Sequence, residues 1–403
     1  MRTKLIFIID SCFPYYSGGR ETWLYEQCKR LMDKYDIEII SMRRWIGHEK
    51  LIHPISDKIK VYAIPTLYNL PIGGRFHYTK YLFGGAFLFS FIASLLLVFK
   101  FSFRVRSRKI IFISLNQGQT FVPSLFVRGR SVYRICTIHG PYVEEMSETF
   151  PLFKSIFKLL ERVSFKYADI IIANGFDTKT SILPLVNNPD KIKVLPNGVD
   201  FKRFYREIEK REDRNYKKIV SICTLSIRRG TAYLIKSIPH IREVYKKDFK
   251  VYFVGKGDPS PYLCMAKELG VEEFVVFLGE RTDIPEILMD SDIAVTLTKG
   301  LGISHSLLEE MASGKVIVAW DTYTYTQVLK HEYSGYLVKA WDPKALGYGI
   351  AHLLENDSLA KTIGRNAQKE AEKFDWEKVS ELFSEFLWEL IKNKINNSSA
   401  SFK

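Results

Sequence analysis

The sequence is poor in the residues that staple or metallate a fold. Its five cysteines, Cys12, Cys28, Cys136, Cys223 and Cys264, are scattered through 403 residues without any CxxC spacing. That distribution excludes a zinc ribbon or a disulfide framework and reads as reduced, mostly buried thiols on the cytosolic side. No DxD metal signature stands in a suitable loop, because Asp290-Ser291-Asp292 precedes an apolar run and reads as its solvated edge. With no zinc finger or RNP-type motif, the net charge of +14 is not assigned to nucleic acid. It favours other anionic partners, nucleotide diphosphates or acidic lipid headgroups. Residues 1–9, MRTKLIFII, are too short for a signal peptide and lack a small-residue cleavage site, which makes them a first strand. No pair of carboxylates stands in an evident hydrolase arrangement.

Apolar surface is what the chain has in quantity. Hydrophobic residues make up 46% of it, enough over this length for two cores of about 150–200 residues each. The run Lys4–Ile9 ends in the loop SCFPYYSGG and leads into Glu21–Tyr35, where apolar residues recur at helical spacing. Strand-like runs follow at Ile37–Ser41, Lys60–Ile64, Lys109–Ser114, Tyr133–Ile138 and Asp169–Ala173. A second series starts after LPNGVDFKRF, at Lys218–Cys223, Phe249–Val254, Glu273–Leu278, Ile293–Leu297 and Val316–Ala319. Strands alternating with helices predict two parallel, doubly wound α/β sheets. Proline, asparagine and glycine between Pro189 and Arg206 mark the boundary. The expected domains are an N-terminal Rossmann-like domain at 1–195 on the acceptor side, a C-terminal one at 196–375, and a terminal helix and tail at 376–403.

Tyr81–Phe99 carries no charged residue and is flanked by Lys80, Lys100, Arg104, Arg106 and Arg108. Such a stretch is long enough to cross a bilayer. Basic flanks on both sides, Gly84-Gly85, and strands of one sheet before and after it favour a different reading: a helix at 81–103 that is buried or dips into a membrane surface. A spanning helix is the alternative.

Six segments stand in a fixed order: FPYYSGGRETWLYEQCKRL, TIHGPY, KVLPNGVDFKRF, FVGKGDPSPYLCMAKELGVEEFVVFLGE, GLGISHSLLEEMASGKVIVA and GYLVKAWDPKALGYGIAHLLEN. In that order they resemble the landmarks of family 4 (group 1) glycosyltransferases, and together they span nearly the whole chain. The resemblance implies the GT-B fold, two Rossmann-like domains facing a central cleft. It also implies transfer of a hexose-type sugar, with retention, from a nucleotide-sugar donor, assisted by the leaving phosphate and without a metal or other cofactor.

Particular residues carry these implications. The LLEEMASG helix begins after Ser304-His305-Ser306, and the N–H groups there and at Leu307 suit a diphosphate. One turn in, Glu309 looks like the family's ribose-binding carboxylate, which leaves Glu310 as a surface residue. Arg229 in ICTLSIRRG takes the place of the family's lysine and, helped by Arg228, would neutralise phosphate charge as the glycosidic bond breaks. His139 in TIHGPY matches the histidine near the donor sugar and the reaction centre. Gly18-Gly19 opens a helix whose N-terminus suits an anion. Gly255 and Gly257 resemble glycines lining the nucleotide pocket, with Arg281 offering a backbone contact to the base. Asn197 and Gly198 shape the interdomain loop. Each residue also has a bland reading: a tight turn for the glycine pair, a solvated cationic pair, a satisfied structural histidine, an exposed helix glutamate.

Three positions depart from the family pattern. Thr224 stands where the family has an arginine. Leu301, eight positions before Glu309, stands where it has the first of two glutamates. TYTYTQ at 322–327 replaces a glycine-glycine-proline-glutamate segment. The sequence therefore points to a retaining transferase acting on a saccharide, lipid-linked at the cytosolic face of a membrane, where the basic, apolar stretch around residues 75–109 would hold it peripherally. The alternative motivated by Thr224 and Leu301 is a non-catalytic GT-B subunit that supports a partner transferase. A GT-B epimerase would share the architecture but not the order of landmarks.

Overall fold

The computed structural model describes residues 2–11, 13–14, 18–44, 56–66, 90–97, 109–129, 131–140, 142–149, 151–205 and 215–400. The chain forms two units, one of Met1–Pro196 with Val379–Lys403 and the other of Asn197–Lys378.

The first unit holds a seven-stranded sheet, parallel throughout, in the order β3-β2-β1-β4-β5-β6-β7. Its strands are β1 (Lys4–Ile8), β2 (Asp36–Arg44), β3 (Lys60–Thr66), β4 (Ile110–Ser114), β5 (Val132–Ile138), β6 (Ile170–Ala173) and β7 (Ile192–Val194). Every residue of β1 and β4 is buried. A parallel strand covered by helices on both faces must be apolar on both, which is why KLIFI and IIFIS read as unbroken runs. Its helices are α1 (Gly19–Leu31), α2 (residues 90–97), α3 (Tyr142–Thr149), α4 (Lys154–Tyr167) and α5 (Phe176–Ile182). Of the helix expected at 81–103, α2 is the described part, and the rest lies outside the described residues. Among those described, no helix is long and apolar enough to cross a membrane.

The second unit carries six parallel strands ordered β10-β9-β8-β11-β12-β13. They are β8 (Lys217–Ile222), β9 (Phe249–Val254), β10 (Val275–Gly279), β11 (Ile293–Thr296), β12 (Val316–Trp320) and β13 (Tyr336–Val338). In chain order its helices are α6 (Phe201–Phe204), α7 (Thr231–Val244), α8 (Ser260–Glu268), α9 (Ile284–Met289), α10 (His305–Ala312), α11 (Tyr323–Thr326), α12 (Pro343–Glu355) and α13 (Asp357–Ala371), followed by α14 (Trp376–Ala400), which belongs to the first unit from Val379 on. Strand order reverses direction at β8, which puts the loops after β8 and β11 side by side at the carboxyl edge, where an open α/β sheet binds its ligands. Two edge strands, β7 and β13, were not among the expected runs. Each is only three residues long, too short for a period to show in sequence.

α12 lies directly on α7 because residue 347 is glycine. A Cβ there would stand 2.6 Å from the Ser237 carbonyl oxygen and 2.6 Å from His240 Cβ, closer than real contacts allow. Gly347→Ala gains about 1 kcal/mol of helix propensity but forces the two helices apart at a cost of about 1–3 kcal/mol. The expected outcome is a net loss of stability, read as a lower urea midpoint; a raised midpoint would show that the helices part freely.

Candidate active site

In the second unit, four loops at the carboxyl edge of the sheet are joined by backbone and side-chain bonds. The loop after β8 turns at Ser226, whose hydroxyl accepts the Arg229 N–H at 3.3 Å, and ends at Gly230, with φ +81°. Gly255 and Gly257 bring the loop after β9 against it. The bonds Cys223 N–H to Val254 O (2.9 Å) and Leu225 N–H to Lys256 O (2.7 Å) close the seam, and a Cβ on Gly255 would stand 2.1 Å from the Cys223 oxygen. Gly255 is therefore required by the backbone, whatever it also meets.

The loop after β11 is held from two sides. Lys299 N–H donates to Arg228 O at 2.7 Å, and Arg229 Nη1 donates to Thr298 Oγ1 at 3.2 Å. From below, Tyr325 Oη accepts the Thr298 N–H at 2.7 Å, and Thr324 Oγ1 donates to Gly300 O at 3.3 Å. Arg229 is exposed, so one edge of its guanidinium is fixed on Thr298 while the rest faces solvent. Lys299 lies over the Trp341 ring at 4.5 Å and the Tyr233 ring at 5.4 Å, an arrangement that holds a cation without neutralising it. Arg228, Arg229 and Lys299 thus gather positive charge on adjoining loops.

α10 starts beside them. Ser304 caps it, accepting the Leu307 N–H at 3.3 Å, and its hydroxyl shares a hydrogen bond with that of Ser306 at 3.3 Å. His305 is a staple: its Nδ1–H donates to Gly198 O at 3.1 Å and its ring packs on Trp376. Asn197 adds a second tie, donating from Nδ2 to Ile303 O at 2.7 Å. Glu309, half-buried one turn in, has its pKa raised to about 7 by burial, with Arg203 pulling the other way. Leu301 is half-buried and Thr224 exposed on the same loops.

Glu310 corrects the expectation of a surface residue. It is fully buried, and neither carboxyl oxygen meets a hydrogen-bond partner among the described residues. Burial, with Glu309 adding repulsion, raises its pKa well above the usual carboxylate range. It therefore sits as a neutral acid. Arg281 is also more engaged than sequence suggested: its guanidinium forks onto Asp283, with Nε at 2.8 Å from Oδ1.

The first unit holds the other candidates. Gly18 is the N-cap of α1 and Gly19 its first residue. His139, half-buried just past β5, lies 3.0 Å through Nε2 from Thr137 Oγ1. Thr137 Oγ1 also donates to Ser114 O at 3.1 Å, which leaves its oxygen to accept from His139 Nε2 in the tautomer protonated there. Trp23 meets the ring edge-on at 5.9 Å. Among the described residues, no group of three or more His, Cys, Asp or Glu side chains could hold a metal ion.

Sequence reasoning passed over Thr298, Lys299 and Tyr325. The signal for Tyr325 was the departure at 322–327, which marks where this chain supports its loop differently.

Two family models match the chain: residues 17–203 fit "Glycosyltransferase Family 4" and residues 203–370 fit "Glycosyl transferases group 1". An uncharacterized glycosyltransferase of Methanocaldococcus jannaschii is 26% identical over 94% of this chain and 96% of its own length. A Campylobacter jejuni relative, an N,N'-diacetylbacillosaminyl-diphospho-undecaprenol alpha-1,3-N-acetylgalactosaminyltransferase, is 28% identical over 65% of this chain and 72% of its own. Among solved structures, the Anabaena protein HepE in complex with UDP-glucose superposes with a TM-score of 0.71 at 18% identity, covering 96% of this chain and 99% of that one. That likeness speaks to fold, the GT-B arrangement of two Rossmann-like domains.

Tyr325→Phe leaves the buried Thr298 N–H without its acceptor. The expected cost is about 1–3 kcal/mol of stability, read in urea denaturation, with no change for Tyr323→Phe on the exposed side of α11. Equal midpoints for Tyr325→Phe and the unaltered chain would show that the hydroxyl does not hold the loop.

Proposed function

Because the chain belongs to the group 1, family 4 glycosyltransferases, enzymes that transfer sugar from nucleotide-sugar donors, we propose that it moves a hexose-type sugar, with retention, onto a lipid-linked saccharide. The observation that carries this reading is the arginine clamp: Arg229, fixed on Thr298 and backed by Arg228, beside the capped N-terminus of α10, with Glu309 one turn further on. Diphosphate negative charge is met by those cations and by the positive end of α10, where the Leu307 N–H is already taken by Ser304. Glu309 accepts from the ribose hydroxyls, each charged hydrogen bond contributing about 1.5–3 kcal/mol.

In the reaction the bond from the anomeric carbon to the phosphate oxygen breaks, and a bond from that carbon to the acceptor hydroxyl oxygen forms on the same face. The acceptor proton passes to the departing phosphate. Charge grows on the phosphate as the bond breaks, so Arg229 acts where the transition state is more negative than the ground state. His139 contributes a ring nitrogen to a hydroxyl of the sugar. The reading requires no metal. Leu301 and Thr224 remove one carboxylate and one cation found in the family pattern, so the hydroxyl pattern of the donor sugar is where this chain differs. The C. jejuni relative's name specifies a diphospho-undecaprenol acceptor, which supports a lipid-linked substrate and a membrane-surface location here.

Transfer from a panel of UDP-, GDP- and ADP-sugars to a polyprenyl-diphosphate saccharide tests the reading. Arg229→Ala is expected to lower kcat about 100- to 1,000-fold. Binding of a nucleotide sugar, whose diphosphate diester keeps its charge across neutral pH, should tighten as pH rises through about 7, because Glu309 accepts from ribose only as carboxylate. Glu309→Gln should flatten that profile. Absence of transfer from every donor, or an unchanged profile in Glu309→Gln, would count against it.

A further inference from the structure

α4 is covered on one side only. Phe157, Glu161, Ser164 and Phe165 are buried against α3, the loop at 117–118 and the sheet, and helical spacing turns residues 156, 159, 163 and 166 the opposite way. On that outer side Leu159 is 60% exposed and Ile156 42%, and Leu152, just before the helix, is 94% exposed. A soluble surface carries single apolar residues routinely, but not a run of them along one helix face. The exposed charges of α4 itself are of one sign, Glu144 on the neighbouring α3 being an exposed acid close enough to act on Glu161. Lys154, Lys158, Arg162 and Lys166 are exposed, while the helix's single acid, Glu161, is turned inward, where Gln117 Nε2 donates to it at 3.4 Å.

A second element continues this face. Ala93 and Leu97 of α2 pack with Ile6, Ile8, Phe112 and Val132, and Phe165 of α4 packs with Cys136, Ile138 and Ile171. Strand pairing puts Phe112 opposite Arg134, Ser114 opposite Cys136, and Cys136 opposite Ile171. Since side chains alternate along a strand, Phe112, Ser114, Cys136 and Ile171 all point to one side of the sheet. α2 and α4 therefore cover the same side. On α2 too the outward residues are large and apolar, with Phe91 61% and Leu95 53% exposed.

We propose that this side of the first unit, with α4 as its anchor, docks on an anionic lipid bilayer, Leu152, Ile156 and Leu159 entering the acyl boundary while the flanking cations meet headgroup phosphates. The charge pattern selects the occupant. A second copy of the chain would set four cations against four, and an apolar protein partner would leave them unpaired, whereas an anionic leaflet pairs all of them and takes up the leucines. The inference rests on the lipid-linked acceptor proposed above and names the surface that would bring the enzyme to it.

Flotation of the full chain with vesicles of neutral lipid, with and without 30% anionic lipid, tests it. The unaltered chain is expected to bind the anionic vesicles and to dissociate in high salt. Lys158→Ser and Arg162→Ser should each weaken binding about 5-fold, and Leu159→Ser about 10-fold or more. All three residues are exposed, so folding, checked by urea midpoint, should stand, as should transfer to a short-chain, water-soluble acceptor. Vesicle binding untouched by these changes, or none by the unaltered chain, overturns the assignment. So does a Leu159→Cys, Cys264→Ser variant that resists maleimide without vesicles, since the face would then already be covered by protein. Loss of all transfer in the unaltered chain would instead overturn the catalytic reading, and vesicle binding would be judged separately.

Discussion

The hydroxyl of Tyr325, buried beneath the carboxyl edge of the second sheet, accepts the Thr298 N–H, and much of the arrangement above it follows from that one bond. A parallel sheet satisfies its backbone only as far as the strands run; past their ends each N–H and C=O must find another partner or remain a cost of one to several kcal/mol. β11 ends at Thr296. Two residues later the chain is still buried, and a phenol from α11 meets it. With the main chain of Thr298 fixed, its side-chain oxygen can accept from both Gly300 and Arg229. A guanidinium on a flexible arm thereby becomes one with a defined position, and preorganised charge is what an electrostatic site requires. The same loop carries Lys299, held by the Arg228 carbonyl and two aromatic rings.

Two adjacent glutamates on α10 show how strongly one turn of helix separates environments. Glu309 and Glu310 are neighbours in sequence but about 100° apart around the helix axis. Glu309 keeps part of its surface open and has Arg203 near enough to favour its charge, so burial moves its pKa only to about 7. Glu310 points into the core toward Cys223 and Tyr325, finds no donor, and is held neutral. A carboxylic acid buried without hydrogen bonds is expensive, and losing its proton there would cost more still. The neutrality of Glu310 also protects the site: a second charge on α10 would push Glu309 further from ionisation.

The fold was legible where burial is symmetric. KLIFI, IIFIS and VIVAW are buried at every position, so an unbroken apolar run is both what the parallel sheet needs and what the sequence displays. Legibility failed at short edges, where IKV and YLV are too brief to show a period, and at Glu310, where a charged residue type stood for exposure. The site was legible in part. Motif order located the loops after β8, β9 and β11, but motifs name residues that touch ligands, and Tyr325 and Thr298 touch other residues. His305 shows what a motif leaves out: the sequence pointed to the N–H groups at this helix start, and the structure adds ties from its imidazole to Gly198 and Trp376.

The departures from the family pattern are connected through structure. Segment 322–327 carries TYTYTQ in place of the family's glycines and glutamate, and it forms α11, whose Tyr325 and Thr324 grip the loop carrying Leu301. The Leu301 side chain brings no hydrogen-bonding group, so on the proposed function a sugar hydroxyl that the family's carboxylate would accept from would find no side-chain partner at that position. A polar group left unpaired in a dry pocket costs about 1–3 kcal/mol, which discriminates far more strongly than one missing methylene. The loop is thus held firmly while one of its recognition groups is apolar. On the function proposed above, the grip of Tyr325 on Thr298 would fix the backbone that carries Leu301, and the two together would narrow the choice of donor sugar.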